Sequence, residues 1–261
     1  MTLRQKLWRS MLGLHASGDK LPKVHARFKS SECWHEQEQV LQNDLVRMPL
    51  LQPDNVLKII RRFCAASPYA GYTQGNLYLV YGIGMVFSDE QSVYWAFARV
   101  VKLVHPYGPS TPYGCHVVPQ WLVSIVQHID IGRDMWDLII RMRWLYIIFG
   151  QTFDTPEALL SAWDYCLRGS EHMYSLCAAL LYRGLRLTYD ADMCSLERAS
   201  LILGQSVNSL EETADLISQA QLLLRCTGPS LTSAGRRRLK TLRARRLGAL
   251  GRTAVPLSCT S

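Results

Sequence analysis

Tyr72-Thr73-Gln74-Gly75-Asn76-Leu77-Tyr78-Leu79-Val80-Tyr81-Gly82-Ile83-Gly84-Met85-Val86-Phe87 separates an α/β chain from an all-helical one. Leu77 to Phe87 runs for eleven residues without a charge, and two glycines, Gly82 and Gly84, stand inside it. A dinucleotide-binding turn of an α/β fold needs a third glycine and a strand before it, and neither is present. The stretch reads instead as a buried helical segment behind a loop, because Ser67-Pro68-Tyr69-Ala70-Gly71 carries the Pro and Gly punctuation of a turn. Gln74 therefore stands at the mouth of something buried. Its amide accepts through the carbonyl and donates through the NH2, which suits it to hold a ligand or a water, or simply to cap backbone groups at an element end.

Outward from this stretch the signals stay helical. Upstream, Pro53 and Asp54 open a helix through Val56, Leu57, Ile60 and Phe63. Downstream, Ser88-Asp89-Glu90-Gln91 reads as a capping box before a helix through Val93, Tyr94, Phe97 and Val101. A Pro/Gly-rich loop from His105 to Pro119 leads to a helix near Gln120 to His128, then to a long apolar helix from Arg133 to Phe149. Thr155-Pro156-Glu157 supplies an N-cap with Pro at the first helical position, a further helix runs from His172 to Leu187, and Ser209-Leu210-Glu211-Glu212 starts another that Gly228-Pro229 closes. At the start, Leu3, Leu7, Trp8, Met11 and Leu12 fall at helical spacing, with Gly13 as the stop. Period-two alternation is sustained nowhere. The chain reads as an all-α, multi-helix body of ten or more helices over residues 1–228, followed by a basic, disordered C-terminal tail over 229–261.

Composition narrows the functions. The 261 residues are 48% hydrophobic, enough for a substantial core. The longest uncharged apolar run is far below the ~18 residues of a membrane helix, which favours a cytoplasmic protein. The net charge of +8 comes from the tail, where eight basic residues from Arg236 to Arg252 face no acid; the first 234 residues balance 21 basic against 21 acidic. Such a block can touch an anionic membrane surface, while nucleic-acid binding is disfavoured by the lack of interleaved aromatics or a binding module. The eight cysteines show no C-x-x-C pair and no Cys/His ligand spacing, so neither zinc nor a disulfide framework is indicated, and Cys166 and Cys177 read as buried free thiols. Gly13 to Lys20 lacks the Gly-Lys-Ser/Thr register of a phosphate loop, and His35-Glu36 has no second His four residues on. Asp44 and Arg47, three apart, can meet on one turn, either as a surface ion pair or as an aimed cation.

Several segments in this order resemble the TBC domain of Rab GTPase-activating proteins. Leu3-Arg4 through Trp8 to Leu12-Gly13 is similar to the family's opening helix, Leu41-x-x-Asp44-x-x-Arg47 to its I-x-x-D-x-x-R-T, and Gly71-Tyr72-Thr73-Gln74-Gly75 to its Y-x-Q-G. Asp89 to Lys102, Trp144 to Phe149, and Leu160-Ser161-Ala162-Trp163-Asp164 resemble later helices, so that the likeness covers residues 1 to 210 or so. The resemblance implies Arg47 as an arginine finger and Gln74 as a glutamine finger, both entering the nucleotide pocket of a GTP-bound Rab-family GTPase, with Asp44, Tyr72 and Gly75 in support. It implies no cofactor of the chain's own, since GTP and magnesium belong to the partner. Trp8, Trp144, Trp163 and Asp164 read as structural. Met48 stands where the family has Thr, and Asn76-Leu77 where it usually has Met-Asn. A non-catalytic TBC-like module that binds a Rab or acts as a scaffold in membrane traffic is the alternative.

Overall fold

The computed structural model describes residues 1–14, 20–23, 32–46, 53–66, 72–73, 75–104, 122, 144–145, 147–188, 197, 201–202, 204 and 206–227. Among these residues there are eight helices and no strand: α1 (Leu3–Met11), α2 (Glu32–Val46), α3 (Pro53–Ala66), α4 (Gly75–Gly84), α5 (Glu90–Val104), α6 (Pro156–Cys166), α7 (Ser170–Thr188) and α8 (Leu210–Thr227). The all-α reading holds. The helix near Gln120 to His128 lies outside the described residues except for Leu122, as does all of the loop from His105 to Pro119 and the basic tail over 229–261.

Two groups of helices make the core. In the first, α3 packs against α2, α4 and α5, and α4 lies on α5; in the second, α7 and α8 form the most extensive pair and both pack on α6. The first group closes over Val56, Ile60 and Phe63 of α3, with Phe63 meeting Phe97 edge-on at 4.9 Å between ring centroids. The second buries Leu176, Cys177, Leu180 and Leu181 of α7 against Leu216 and Ala220 of α8. Cys166 and Cys177 are buried free thiols, and burial pushes both up from the ordinary thiol value.

The first helix ties the groups together. Thr2 and Gln5 form a reciprocal capping box, and the chain turns out at Gly13, whose φ of 63° suits glycine. Of the residues at helical spacing, Trp8, Met11 and Leu12 pack on the core and Leu3 and Leu7 do not. Trp8 and Leu12 are buried, while Leu3 is 83% exposed and Leu7 39% exposed. The packed face runs Arg4, Gln5, Trp8, Arg9 and Leu12, because three polar side chains on it find fixed partners. Gln5 Nε2 donates to Val86 O at 2.7 Å, Arg4 pairs with Asp164 at 2.9 Å, and Arg9 donates to the Ser92 hydroxyl while its guanidinium lies 5.4 Å over the Phe87 ring.

Trp163 of α6 is the hub of this joint. Its ring stacks on Trp8 at 5.7 Å with 18° between planes, and its Nε1 donates to Ile148 O at 2.8 Å. Asp164 accepts from Trp8 Nε1 at 2.6 Å. The far face of Trp163 lies on Gly82 of α4, where a Cβ would come within 2.8 Å of the ring. Gly82 therefore has a packing reason, close approach of an indole, in place of the phosphate-binding reason excluded from sequence. An aromatic of this size buries about 150–250 Å², worth roughly 4–6 kcal/mol before ordering entropy is set against it.

Two local expectations shift. Asp89, not Ser88, caps α5: its carboxylate accepts from Ser92 N at 2.7 Å and its carbonyl from Val93 N at 3.1 Å. Burial would raise the Asp89 carboxyl, but hydrogen bonds from Ser92 and the charge of Arg9 outweigh it and hold the group below its ordinary value. The helix read through Phe149 does not reach that far. Ile148 and Phe149 have φ of 46° and 58° in a turn over 147–150, with Phe149 N donating to Trp144 O at 2.7 Å. Left-handed backbone at a β-branched residue is costly, so tertiary contacts must hold it. The bond from Trp163 to Ile148 O and the contact of Gly150 with Tyr78 supply them. An isolated parallel bridge from Phe153 to Val207 then leads the chain into α6, which Thr155 caps by accepting from Ala158 N. Ser209 caps α8 in the same way, accepting from Glu212 N at 3.1 Å.

Candidate functional site

The end of α2 and the start of α4 meet at Tyr72. Helix α2 is longer than its sequence advertises, since its inner stripe of Trp34, Leu41 and Leu45 is interrupted by Gln37 and Glu38. Both interruptions are used. Glu38 pairs with Arg61 of α3, whose guanidinium lies 5.8 Å over the Trp34 ring, and Gln37 Oε1 accepts from the Tyr72 amide at 2.9 Å. Asp44, in the last turn of α2, is only 7% exposed, and its Oδ2 accepts from the Tyr72 hydroxyl at 3.0 Å. A buried carboxylate needs such donors, because desolvation without hydrogen bonds costs several kcal/mol.

On the α4 side the chain is fixed by Thr73 and Asn76. The Thr73 hydroxyl donates to Asn76 Oδ1 at 3.2 Å, and Asn76 N donates to Thr73 O at 2.9 Å. Gly75 and Asn76 are buried as the first two residues of α4, while Thr73 is exposed. Asn76 thus has a local task as the partner of both the Thr73 hydroxyl and the Thr73 carbonyl.

Of the five residues singled out from sequence, the structure brings Asp44 and Tyr72 into contact and seats Gly75 at the first position of α4. Arg47 and Gln74 lie outside the described residues, as does Met48. Their described neighbours are informative. Val46, which precedes Arg47, is 82% exposed, and Thr73 and Gly75 flank Gln74. Gln37 was not singled out from sequence. Its signal was its place seven residues before Asp44, which puts both on one face of a helix two turns apart.

Among the described residues no group of three His, Cys, Asp or Glu side chains could hold a metal ion, and no helix is long and apolar enough to cross a membrane. The nearest thing to a nucleophile cluster is Tyr165, His172 and Ser175. It has the wrong connections: the Ser175 hydroxyl donates to the carbonyl of His172, not to its ring, and is shared with the Tyr165 hydroxyl at 2.8 Å. Desolvation, then the charge of Arg168, holds the His172 ring below its ordinary value. What the described residues of the Tyr72 joint offer is positioning: polar side chains of α2 hold the backbone just ahead of α4.

A family model described as Rab-GTPase-TBC domain matches residues 1–186. A comparison with curated proteins found no match. The matched segment ends within α7, and α8, beyond it, packs on α6 and α7 as part of the same helical body.

Proposed function

The chain belongs to the Rab-GTPase-TBC domain family, and from that premise we propose that it is a GTPase-activating protein for a Rab-family small GTPase. It supplies Arg47 and Gln74 in trans to the nucleotide pocket of the GTP-bound partner. Phosphoryl transfer asks a protein for positioning and charge stabilisation, and an arginine finger given in trans contributes about 10³ to 10⁵ in rate. Arg47 neutralises charge developing on the transferred group and the leaving oxygen. Gln74 orients the attacking water through its carbonyl and NH2. GTP and magnesium come with the partner. The chain acts at cytoplasmic faces of endomembranes, where its tail from Gly235 to Arg252 meets anionic lipid.

The observation that supports this reading is the bond from Tyr72 to Asp44. Two fingers can serve one phosphate only if the backbone segments that carry them are held together. Tyr72 is two residues before Gln74 and Asp44 three before Arg47, and their side chains meet at 3.0 Å. Asp44 thereby anchors the loop as well as the helix end from which Arg47 issues.

Single-turnover GTP hydrolysis across a panel of GTP-loaded Rab GTPases tests the proposal. Acceleration of at least one member, lost in Arg47→Ala and in Gln74→Ala, is the expected result. Saturable GTP-dependent binding without faster hydrolysis would select the non-catalytic module instead.

A further inference from the structure

Tyr72 is attached to α2 at two points, and the second point has no counterpart in the motifs that carry the family likeness. We propose that Gln37 is a positioning residue for the reaction: through Tyr72 it holds the backbone that leads to Gln74, and the contribution of Gln74 to the rate depends on it. The proposal rests on the GTPase-activating reading above.

A single hydrogen bond fixes a point but leaves the group free to swivel about it. Were Tyr72 held only by its hydroxyl on Asp44, the loop could turn about that contact. The structure adds a second bond at the other end of the same residue, from the Tyr72 amide to Gln37 Oε1 at 2.9 Å. Gln37 and Asp44 are seven residues apart on α2, a rise of ~10.5 Å along one helix face. Tyr72 therefore lies lengthwise against α2, with its backbone beside Gln37 and its hydroxyl toward the end of the helix that precedes Arg47. The direction in which the chain leaves for Thr73 is fixed by this two-point seat.

The base of the strut is itself braced. Glu38, next to Gln37, pairs with Arg61 of α3, and Arg61 lies over the buried ring of Trp34. On the other side of Gln74, the reciprocal bonds of Thr73 and Asn76 close the turn into α4. Residues on both sides of Gln74 in the chain, Tyr72, Thr73 and Asn76, thus each make polar contacts that fix them. Glutamine fits the strut position because its carbonyl accepts the amide proton of Tyr72. Glutamate at position 37 keeps an acceptor there, and leucine keeps the bulk without one.

The test is single-turnover hydrolysis by the responsive Rab GTPase, measured against concentration of the full chain, for wild type, Gln37→Leu, Gln37→Glu and Gln37→Leu in a Gln74→Ala background. A misaimed group costs on the order of ten- to a hundredfold. Gln37→Leu should lower the saturating rate by about that factor and leave the half-saturating concentration within about twofold, since the binding surface is intact. Gln37→Glu should retain most of the rate. In the Gln74→Ala background Gln37→Leu should add less than about a twofold loss, because the residue acts through Gln74. A wild-type rate in Gln37→Leu, an equal loss in both backgrounds, or a change confined to half-saturation overturns the proposal and leaves the GTPase-activating reading standing. A wild-type chain that accelerates no Rab overturns that reading, and this proposal with it.

Discussion

At Trp163 four elements meet through stacked rings, a buried indole bond and a glycine with no room for a methyl group, whereas Tyr72, just ahead of α4, is held to α2 by hydrogen bonds to two polar side chains. The first joint joins α1, α4, α6 and the turn over 147–150 into one core. Its rings are fully buried and its polar groups are bonded, so it is a store of stability. The second rests on polar contacts of Tyr72, and what it provides is direction. The difference teaches where to look for each kind of loss: substitutions at the ring joint should unfold the chain, and substitutions at the polar joint should leave it folded but misaimed.

Trp163→Ala should separate the two most sharply. Removing a fully buried tryptophan leaves a cavity beside Trp8 and an unpaired Ile148 carbonyl, and the loss should be about 3–5 kcal/mol in chemical denaturation. Gly82→Ala attacks the same joint from the opposite direction. Its Cβ would stand 2.8 Å from the indole, so overpacking should cost about 1–3 kcal/mol by the same measurement. Tyr72→Phe probes the polar joint. Losing one donor to the Asp44 carboxylate should cost about 1 kcal/mol of stability, yet lower Rab GTPase activation at least about tenfold. A variant that unfolds the chain, or one that leaves activation intact, would erase the contrast.

The smallest effect concerns a third region, the His172 cluster between α6 and α7, 5.0 Å from the Tyr165 ring. His172 is held below its ordinary value of 6.5 by desolvation and Arg168, against the weaker pull of Glu171. The unfolded chain therefore takes up a proton first as pH falls below about 6.5, and stability should decline from there until pH passes the lower folded value. Thermal midpoints of His172→Gln should fall less between pH 7 and pH 5 than those of wild type.

Much of the fold was legible because helix starts are written locally. Thr155-Pro156, Ser209 and the Gly13 stop all act where the sequence puts them. What was illegible depends on distant partners. Gln37 and Glu38 interrupt the apolar stripe of α2, and nothing nearby in the chain says that Tyr72 and Arg61 will satisfy them. The polar contacts of α1 were illegible for the same reason, its partners Asp164, Val86 and Ser92 being far along the chain. The turn at Ile148 looked helical by spacing, and the partners that hold its left-handed backbone, Trp163 and Tyr78, are far along the chain. At the site, Asp44 and Tyr72 were found through resemblance, and their contact needed the structure.

The central claim is that two fingers mounted on one polar joint act together on a partner's phosphate. Its most direct measurement is single-turnover GTP hydrolysis by a GTP-loaded Rab panel with wild type, Arg47→Ala, Gln74→Ala and the double variant. The account predicts acceleration of at least one Rab by about 10³ or more, loss of most of it in either single variant, and little further loss in the double variant, since residues that act as a unit are not additive. Equal rates for wild type and both single variants on every Rab would contradict it.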